Sequence, residues 1–211
     1  MESLAQKIYT ITGITNTPIF TDSAKRILHI GSGSRILPGA ETVDILALPG
    51  VDVVHDLDVF PWPYEDSSFD LIYGHNVFEH LEDQIATMEE FWRILKPTGR
   101  VVLTVPYFRS VDAFTDSTHE HFFTSRSLNY FIDAKNSQSE YKYTTKLFSK
   151  IGFWYGWPHR SPNPIKQMIK SIAHNHPNFY DQYLSLLFPV GLFVWEWRIN
   201  DKKNLVRFCR I

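Results

Sequence analysis

The segment RILHIGSGSRILPGAETVDILALPGVDVVHDLD, residues 26–58, decides the fold. Ile27, Leu28 and Ile30 make a short apolar strand that runs into Gly31-Ser32-Gly33, where missing Cβ atoms let the backbone turn sharply and approach a ligand closely. Two more apolar runs follow, Val43-Asp44-Ile45 and Val51-Asp52-Val53-Val54-His55-Asp56, and Asp44 and Asp56 fall near their carboxyl ends. Open parallel sheets bind small molecules at that edge. One carboxylate suits a ribose diol and the other an adenine edge. A nicotinamide fingerprint, G-x-G-x-x-G, is not met: position 36 is Ile36, and Asp44 arrives well before the acidic residue expected about 20 positions further on.

Working outward, FPWPYEDSSFDLIYGHNVFEHLED (60–83) contains a fourth strand over Phe69–Gly74, and FWRILKPTGRVVLTVP (91–106) contains the end of a helix and a buried β-branched strand over Val101–Val105. From Asp83 onward, Ile85, Met88, Phe91, Trp92 and Leu95 keep helical spacing, with Pro97 and Gly99 as stop signals. In this order the pieces, spanning roughly residues 26 to 132, resemble class I S-adenosylmethionine-dependent methyltransferases of the type 11-like kind.

The resemblance implies an α/β fold: a Rossmann-like, seven-stranded, mostly parallel sheet with helices on both faces and S-adenosylmethionine as cofactor. It places Gly31, Ser32, Gly33, Asp44, Ile45, Asp56, Leu57, Asp58 and Asn76 at the cofactor, with Asp44 on the ribose hydroxyls and Asp56 and the Leu57 backbone on the adenine. Only about ten residues separate Gly33 from the second strand, near the minimum for a parallel crossover. The first helix of the fold is therefore expected to be very short or replaced by a loop.

The 211 residues suit one domain, with a core over about 26–155 and 190–211 and a helical insertion over about 157–188. The composition, 44% hydrophobic and 21% charged, is that of an ordinary globular protein. One cysteine, Cys209, excludes internal disulfides and a cysteine-rich zinc site. Without a signal-like start or an uninterrupted apolar span, the expected location is cytoplasmic. Residues 1–140 hold ten Lys/Arg against twenty Asp/Glu, and residues 141–211 hold eleven against three. The basic part either balances a solvated surface or draws in an anionic acceptor or membrane surface. No nucleic-acid partner is expected.

In the later chain, Thr124 or Ser125 can cap a helix with Leu128, Phe131 and Ile132 facing inward. Asn163-Pro164 begins another, with Ile165, Met168, Ile169 and Ile172 on one stripe. Leu192–Ile199 and Leu205–Ile211, joined by a polar turn, are expected to form a C-terminal antiparallel hairpin.

Chemistry is expected beyond the fourth and fifth strands. His75, Asn76, Glu79 and His80 follow the fourth, and YFRSVDAFTDSTHEHFFT (107–124) follows the fifth, with Asp116, His119 and His121 among aromatics. Methyl transfer needs in-line alignment, a dry site and removal of a proton when the acceptor is a hydroxyl or neutral amine. Imidazole suits the last task, so His119 is the first candidate base and His75 the second, with His80 a structural histidine paired to a backbone carbonyl. Tyr107, Phe108, Phe122 and Phe123 are candidate walls. His119 and His121 with His75 or His80 could ligate a metal, but two loop histidines without a fixed framework say little, and no metal is expected. The function these residues imply is methyl transfer to a small-molecule, saccharide-associated or membrane-associated acceptor. The alternatives are a non-catalytic binding module of the same fold and, further off, a nicotinamide oxidoreductase.

Overall fold

Short apolar runs separated by turns become the strands of one sheet in the computed structural model, which describes residues 26–132, 143–156 and 163–200. The strands are β1 (Ile27–Ile30), β2 (Glu41–Asp44), β3 (Val53–Val54), β4 (Phe69–His75), β5 (Leu95–Pro106), β6 (Phe148–Tyr155) and β7 (Leu192–Ile199). Their order across the sheet is β3-β2-β1-β4-β5-β7-β6. The first five run parallel, as expected for strands buried on both faces and rich in Val, Ile and Leu. β7 enters antiparallel between β5 and β6. Both of its edges are thereby used, so the C-terminal antiparallel pair seen here is β6 with β7; the segment Leu205–Ile211 lies outside the described residues.

The crossover from β1 to β2 is a loop, as its length implied. It contains turns closed by Arg35 N–H to Ser32 C=O and Ala40 N–H to Leu37 C=O. Helix α1 (Gln84–Ile94) starts where Asp83 accepts from the Ala86 N–H at 2.9 Å, and it stops ahead of Lys96-Pro97, where helical geometry is disfavoured. Met88, Phe91 and Ile94 bury against Leu28, Ile30, Ile72 and Leu103 in the larger core layer. A smaller layer joins Ile27, Leu71, Tyr73, Val102 and Val194 with Leu37. Each fully buried large side chain contributes roughly 1.5–3 kcal/mol. Arg93 on α1 grips Glu90, Asp66 and the carbonyls of Trp62 and Tyr64, which docks the 60–66 loop onto this helix.

After the short helix α2 (Asp112–Thr115), the helix expected from Thr124 is replaced by turns and a 3-10 turn at Asn129–Phe131. The Thr124 hydroxyl accepts from the Arg126 N–H at 3.2 Å and the Ser127 hydroxyl from the Thr124 N–H at 2.9 Å, so Thr124 caps a turn that does not continue into a regular helix. Leu128, Phe131 and Ile132 are still buried.

Helix α3 (Pro164–Asn175) begins as expected, the Asn163 side chain accepting from the Ile165 and Lys166 N–H groups. Its inward face differs from the expected stripe: Ala173 is buried and Ile169 packs on the core, while Ile165 and Met168 stand exposed. A helical turn at Pro177–Phe179 and a π-turn at Tyr180–Leu184 follow. This segment is fixed by Asp181. Its carboxylate accepts from the Tyr107 hydroxyl (3.0 Å), the Tyr155 hydroxyl (2.7 Å) and the Ser125 N–H (3.0 Å), all in the interior.

Candidate active site

Gly31 ends β1 with φ +55°, and a Cβ added there would sit 2.7 Å from the Val77 Cβ. Both the backbone and the space require glycine. Beside it, at the carboxyl ends of β1, β2, β3 and β4, opens a cavity of about 370 Å³. Gly31, Asp44, Ile45 and Asn76 form one side of it, His55, Asp56, Leu57 and Asp58 another, and Val77, His80 and Leu81 close it.

Asp44 is built into this wall. One carboxylate oxygen accepts from the Gly33 N–H at 2.8 Å and the other from the Leu46 N–H at 3.0 Å, so the strand end and the glycine turn are tied together. Each oxygen keeps a second lone-pair site for a ligand. Ile45 is 61% exposed at the rim, an apolar surface able to cover a flat ring. The Asp56 carboxylate accepts from the Asp58 N–H, and Asp58 accepts from the Glu82 N–H, which ties the loop to the approach to α1. The buried Trp62 donates its indole N–H to the Leu57 carbonyl at 2.9 Å and packs edge-on against Phe91. Asp58 and Trp62 therefore shape the loop that carries Asp56 and Leu57.

Ser32 and Gly33 do not line this cavity. They border a second one of about 260 Å³ on the other side of the turn, together with Arg35, His29, Tyr73 and His75. Gly31 and Asn76 are walls of both. His75 follows strand alternation and shares the face of Leu71 and Tyr73; its Nδ1 lies 2.5 Å from the Thr104 hydroxyl. Burial, aided by Arg35, pushes its pKa down to about 4, so the ring is neutral at pH 7. The two candidate bases are thus not brought together.

His119 lies at the other end. The loop 116–121 is pinned to the 3-10 turn Phe78–His80 because the Glu79 carbonyl accepts from the N–H groups of Glu120 (2.9 Å) and His121 (3.1 Å). This sets the His119 ring edge-on to His80, 4.7 Å between centroids. Nδ1 of His119 is 2.9 Å from the Ala113 carbonyl, which can only accept, so that nitrogen carries the proton and Nε2 keeps its lone pair. His80 is held in the same tautomer. Its Nδ1 meets the Thr118 carbonyl (3.2 Å) and the Thr118 hydroxyl (2.9 Å), whose own proton goes to Asp116 (2.7 Å). The backbone-carbonyl partner expected for His80 is Thr118. His121 is turned away to the Glu82 carbonyl.

Beneath the two rings lies Glu79, 1% exposed, with neither carboxylate oxygen hydrogen-bonded among the described residues. Burial pushes its pKa up to about 8. Of the four aromatic candidates, Tyr107 and Phe123 belong to the core, and Phe122 stacks on Phe114 at the surface. Sequence reasoning missed Val77, whose signal was the glycine at the end of β1, and Trp62, whose signal was a tryptophan between two prolines in an otherwise polar loop.

Residues 1–103 match the methyltransferase domain family. That match spans just under half of the chain. A segment of 44 residues is 43% identical to a glycine/sarcosine/dimethylglycine N-methyltransferase of Actinopolyspora halophila, covering 21% of this chain and 8% of that protein's length. The chain shares its fold with an S-adenosylmethionine-dependent methyltransferase of Archaeoglobus fulgidus (14% identity, 86% of this chain, 88% of that one, TM-score 0.51). A second such structure, from Mesorhizobium loti, is 14% identical over 82% of this chain and 90% of that one, with TM-score 0.50. Both of those structures are named as S-adenosylmethionine-dependent methyltransferases, and that molecule is the one to test against this chain. The first cavity suits it chemically: a glycine turn that no Cβ could replace, and carboxylates at the ends of β2 and β3 for hydroxyl and amine donors.

Proposed function

We propose that the protein transfers the methyl group of S-adenosylmethionine to a small or anionic acceptor, with Asp44 and the Asp56–Leu57 loop holding the nucleoside and His119 attending the acceptor. What supports the reading is one continuity: the cavity walled by Gly31 and Asp44 reaches His80, and His80 touches His119. The bound cofactor supplies an electrophilic methyl carbon on a sulfonium sulfur. In the transfer a bond forms from the acceptor oxygen or nitrogen to that carbon as the carbon–sulfur bond breaks. A proton leaving the acceptor passes to Nε2 of His119, whose Nδ1–H is held by Ala113. Fixed tautomers mean that no imidazole has to reorient during the step.

The test uses labelled S-adenosylmethionine and a fractionated small-molecule extract as the acceptor pool. Wild-type protein is expected to move label into one or a few compounds. His119→Gln should cut that transfer by about 100-fold while cofactor affinity, read by calorimetry, changes less than about threefold. No transfer by wild type that binds the cofactor would leave the non-catalytic binding module as the function. Full transfer by a folded His119→Gln would remove His119 from the chemistry.

A second reading concerns the segment after α3, and it is favoured by an exposed apolar group together with the exposed Lys166. Leu186 and Leu187 are each 71% exposed, with Tyr183, Phe179 and Phe188 nearby in sequence, and α3 turns Ile165, Met168 and Lys166 outward. Arg160 lies outside the described residues. Apolar side chains flanked by lysine match an anionic lipid surface, where both burial and charge favour contact. Vesicles rich in phosphatidylglycerol should bind the protein at about 0.1 M salt and release it toward about 1 M, as the screening length falls from about 10 to about 3 Å. Leu186→Ser with Leu187→Ser should abolish binding at any salt. Indifference to both changes would rule out the lipid contact.

A further inference from the structure

Glu79, His80 and His119 each present a ligand atom, and these atoms lie within 4.8 Å of one another. Their surroundings are those of a metal site rather than a chance cluster. Histidines that bind metals usually fix the other ring nitrogen on a carbonyl or carboxylate, which sets the tautomer and aims the ring. Both rings here do so: His119 through Nδ1 to Ala113, and His80 through Nδ1 to Thr118, backed by Asp116. Nε2 is the ligating atom that remains in each. The third member is a carboxyl group buried to 1% exposure with both oxygens unpartnered among the described residues, a setting in which the ionised form is disfavoured unless a counter-charge is supplied. No lysine or arginine forms an ion pair with it among the described residues. The loop that brings His119 over is clamped to Glu79's own carbonyl, so the three donors come from two segments held in one frame.

We propose that Glu79, His80 and His119 bind one divalent transition-metal ion at the acceptor end of the cofactor cavity. Two nitrogens and one carboxylate suit Zn²⁺, Co²⁺ or Mn²⁺ rather than Ca²⁺, which takes six to eight oxygens. Ligand atoms at about 2.1 Å from an ion are at most about 4.2 Å apart, so the donors must close by only on the order of 1 Å. Three protein ligands leave a coordination position, and His80 is part of the cavity wall, so that position faces the cavity. A hydroxyl or carboxylate of the acceptor is the group that fits it. This last statement on the acceptor rests on the methyltransferase reading; the metal site does not. With the ion in place His119 serves as ligand, and the ion takes over the acidification of an acceptor hydroxyl, whose proton then leaves to water.

The experiment titrates chelator-treated protein with Co²⁺, followed by its visible absorption, and then displaces it with Zn²⁺; S-adenosylmethionine binding is measured by calorimetry on the same sample. One ion per chain is expected, with affinity at least about tenfold weaker in Glu79→Gln and in His119→Gln. The second variant, at a half-exposed ring, carries the test should the first not fold. Absence of saturable binding by folded wild type, or equal affinity in the variants, overturns the metal site. Cofactor binding that persists in that case leaves the methyltransferase reading standing, and metal binding without cofactor binding separates the two the other way.

Discussion

Asp181→Ala is expected to lower the melting temperature by about 6–12 °C. The carboxylate takes three hydrogen bonds in the interior, from Tyr107, Tyr155 and the Ser125 N–H, and its removal takes the charged acceptor from all three, leaving Tyr155 only the Pro177 carbonyl at 3.2 Å. Bonds to charged groups are worth about 1.5–3 kcal/mol each, and they are not additive. A net loss of about 3 kcal/mol is therefore a modest sum, and for a chain of this size each kcal/mol shifts the midpoint by about 2–4 °C. Asp181→Asn keeps an acceptor oxygen in place and should cost less than half as much. Calorimetric melts of the three proteins decide the matter: a shift under about 2 °C in Asp181→Ala would mean that Tyr180–Leu184 is held on the sheet by apolar packing alone.

Asp44→Ala is expected to weaken S-adenosylmethionine binding by about 10²–10³-fold. The ligand loses its charge-assisted partner, worth about 1.5–3 kcal/mol. In addition, Gly33 and Leu46 lose the acceptor that holds the turn against the end of β2, so part of the binding energy goes into ordering the turn. Asp44→Asn, which keeps one carbonyl oxygen, should fall between the two. Gly31→Ala provides the complementary case, because its methyl group would push on Val77 in the cavity wall while Asp44 stays in place. Calorimetric affinities for all three variants test this, and an Asp44→Ala protein within threefold of wild type would remove the carboxylate from the cofactor site.

The parts of this molecule written in local periodicity were readable from the chain. The glycine turn, the acidic strand ends, the α1 stripe, and the loop crossover before β2 all depend on residues within a dozen positions of one another. Contacts that join distant segments were not readable. Nothing in Leu192–Ile199 says that both its edges are taken, and nothing in Asp181 names Tyr107 or Tyr155. Thr124 does cap a turn, but the chain runs on from it into a 3-10 turn and not a regular helix. The outward Ile165 and Met168 follow from which side of α3 meets β6, a matter of tertiary packing. His75 was within reach of sequence reasoning, since period-two alternation puts it with Leu71 and Tyr73 and away from the loop that carries His119.

The position of β7 also bears on how the chain reaches this fold. β1 to β5 pair among themselves and are synthesised first, but the outer edge of β5 is matched only by residues from Leu192 onward. β6 precedes β7 in the chain and takes its place in the sheet through β7. Until the last strand slides between them, the Arg100–Pro106 backbone of a nascent chain presents unpaired donors and acceptors next to a core of β-branched side chains, the kind of edge that recruits other chains. Closing it requires a contact of long sequence separation, and contacts of that kind form slowly and leave an edge open to aggregation in the meantime.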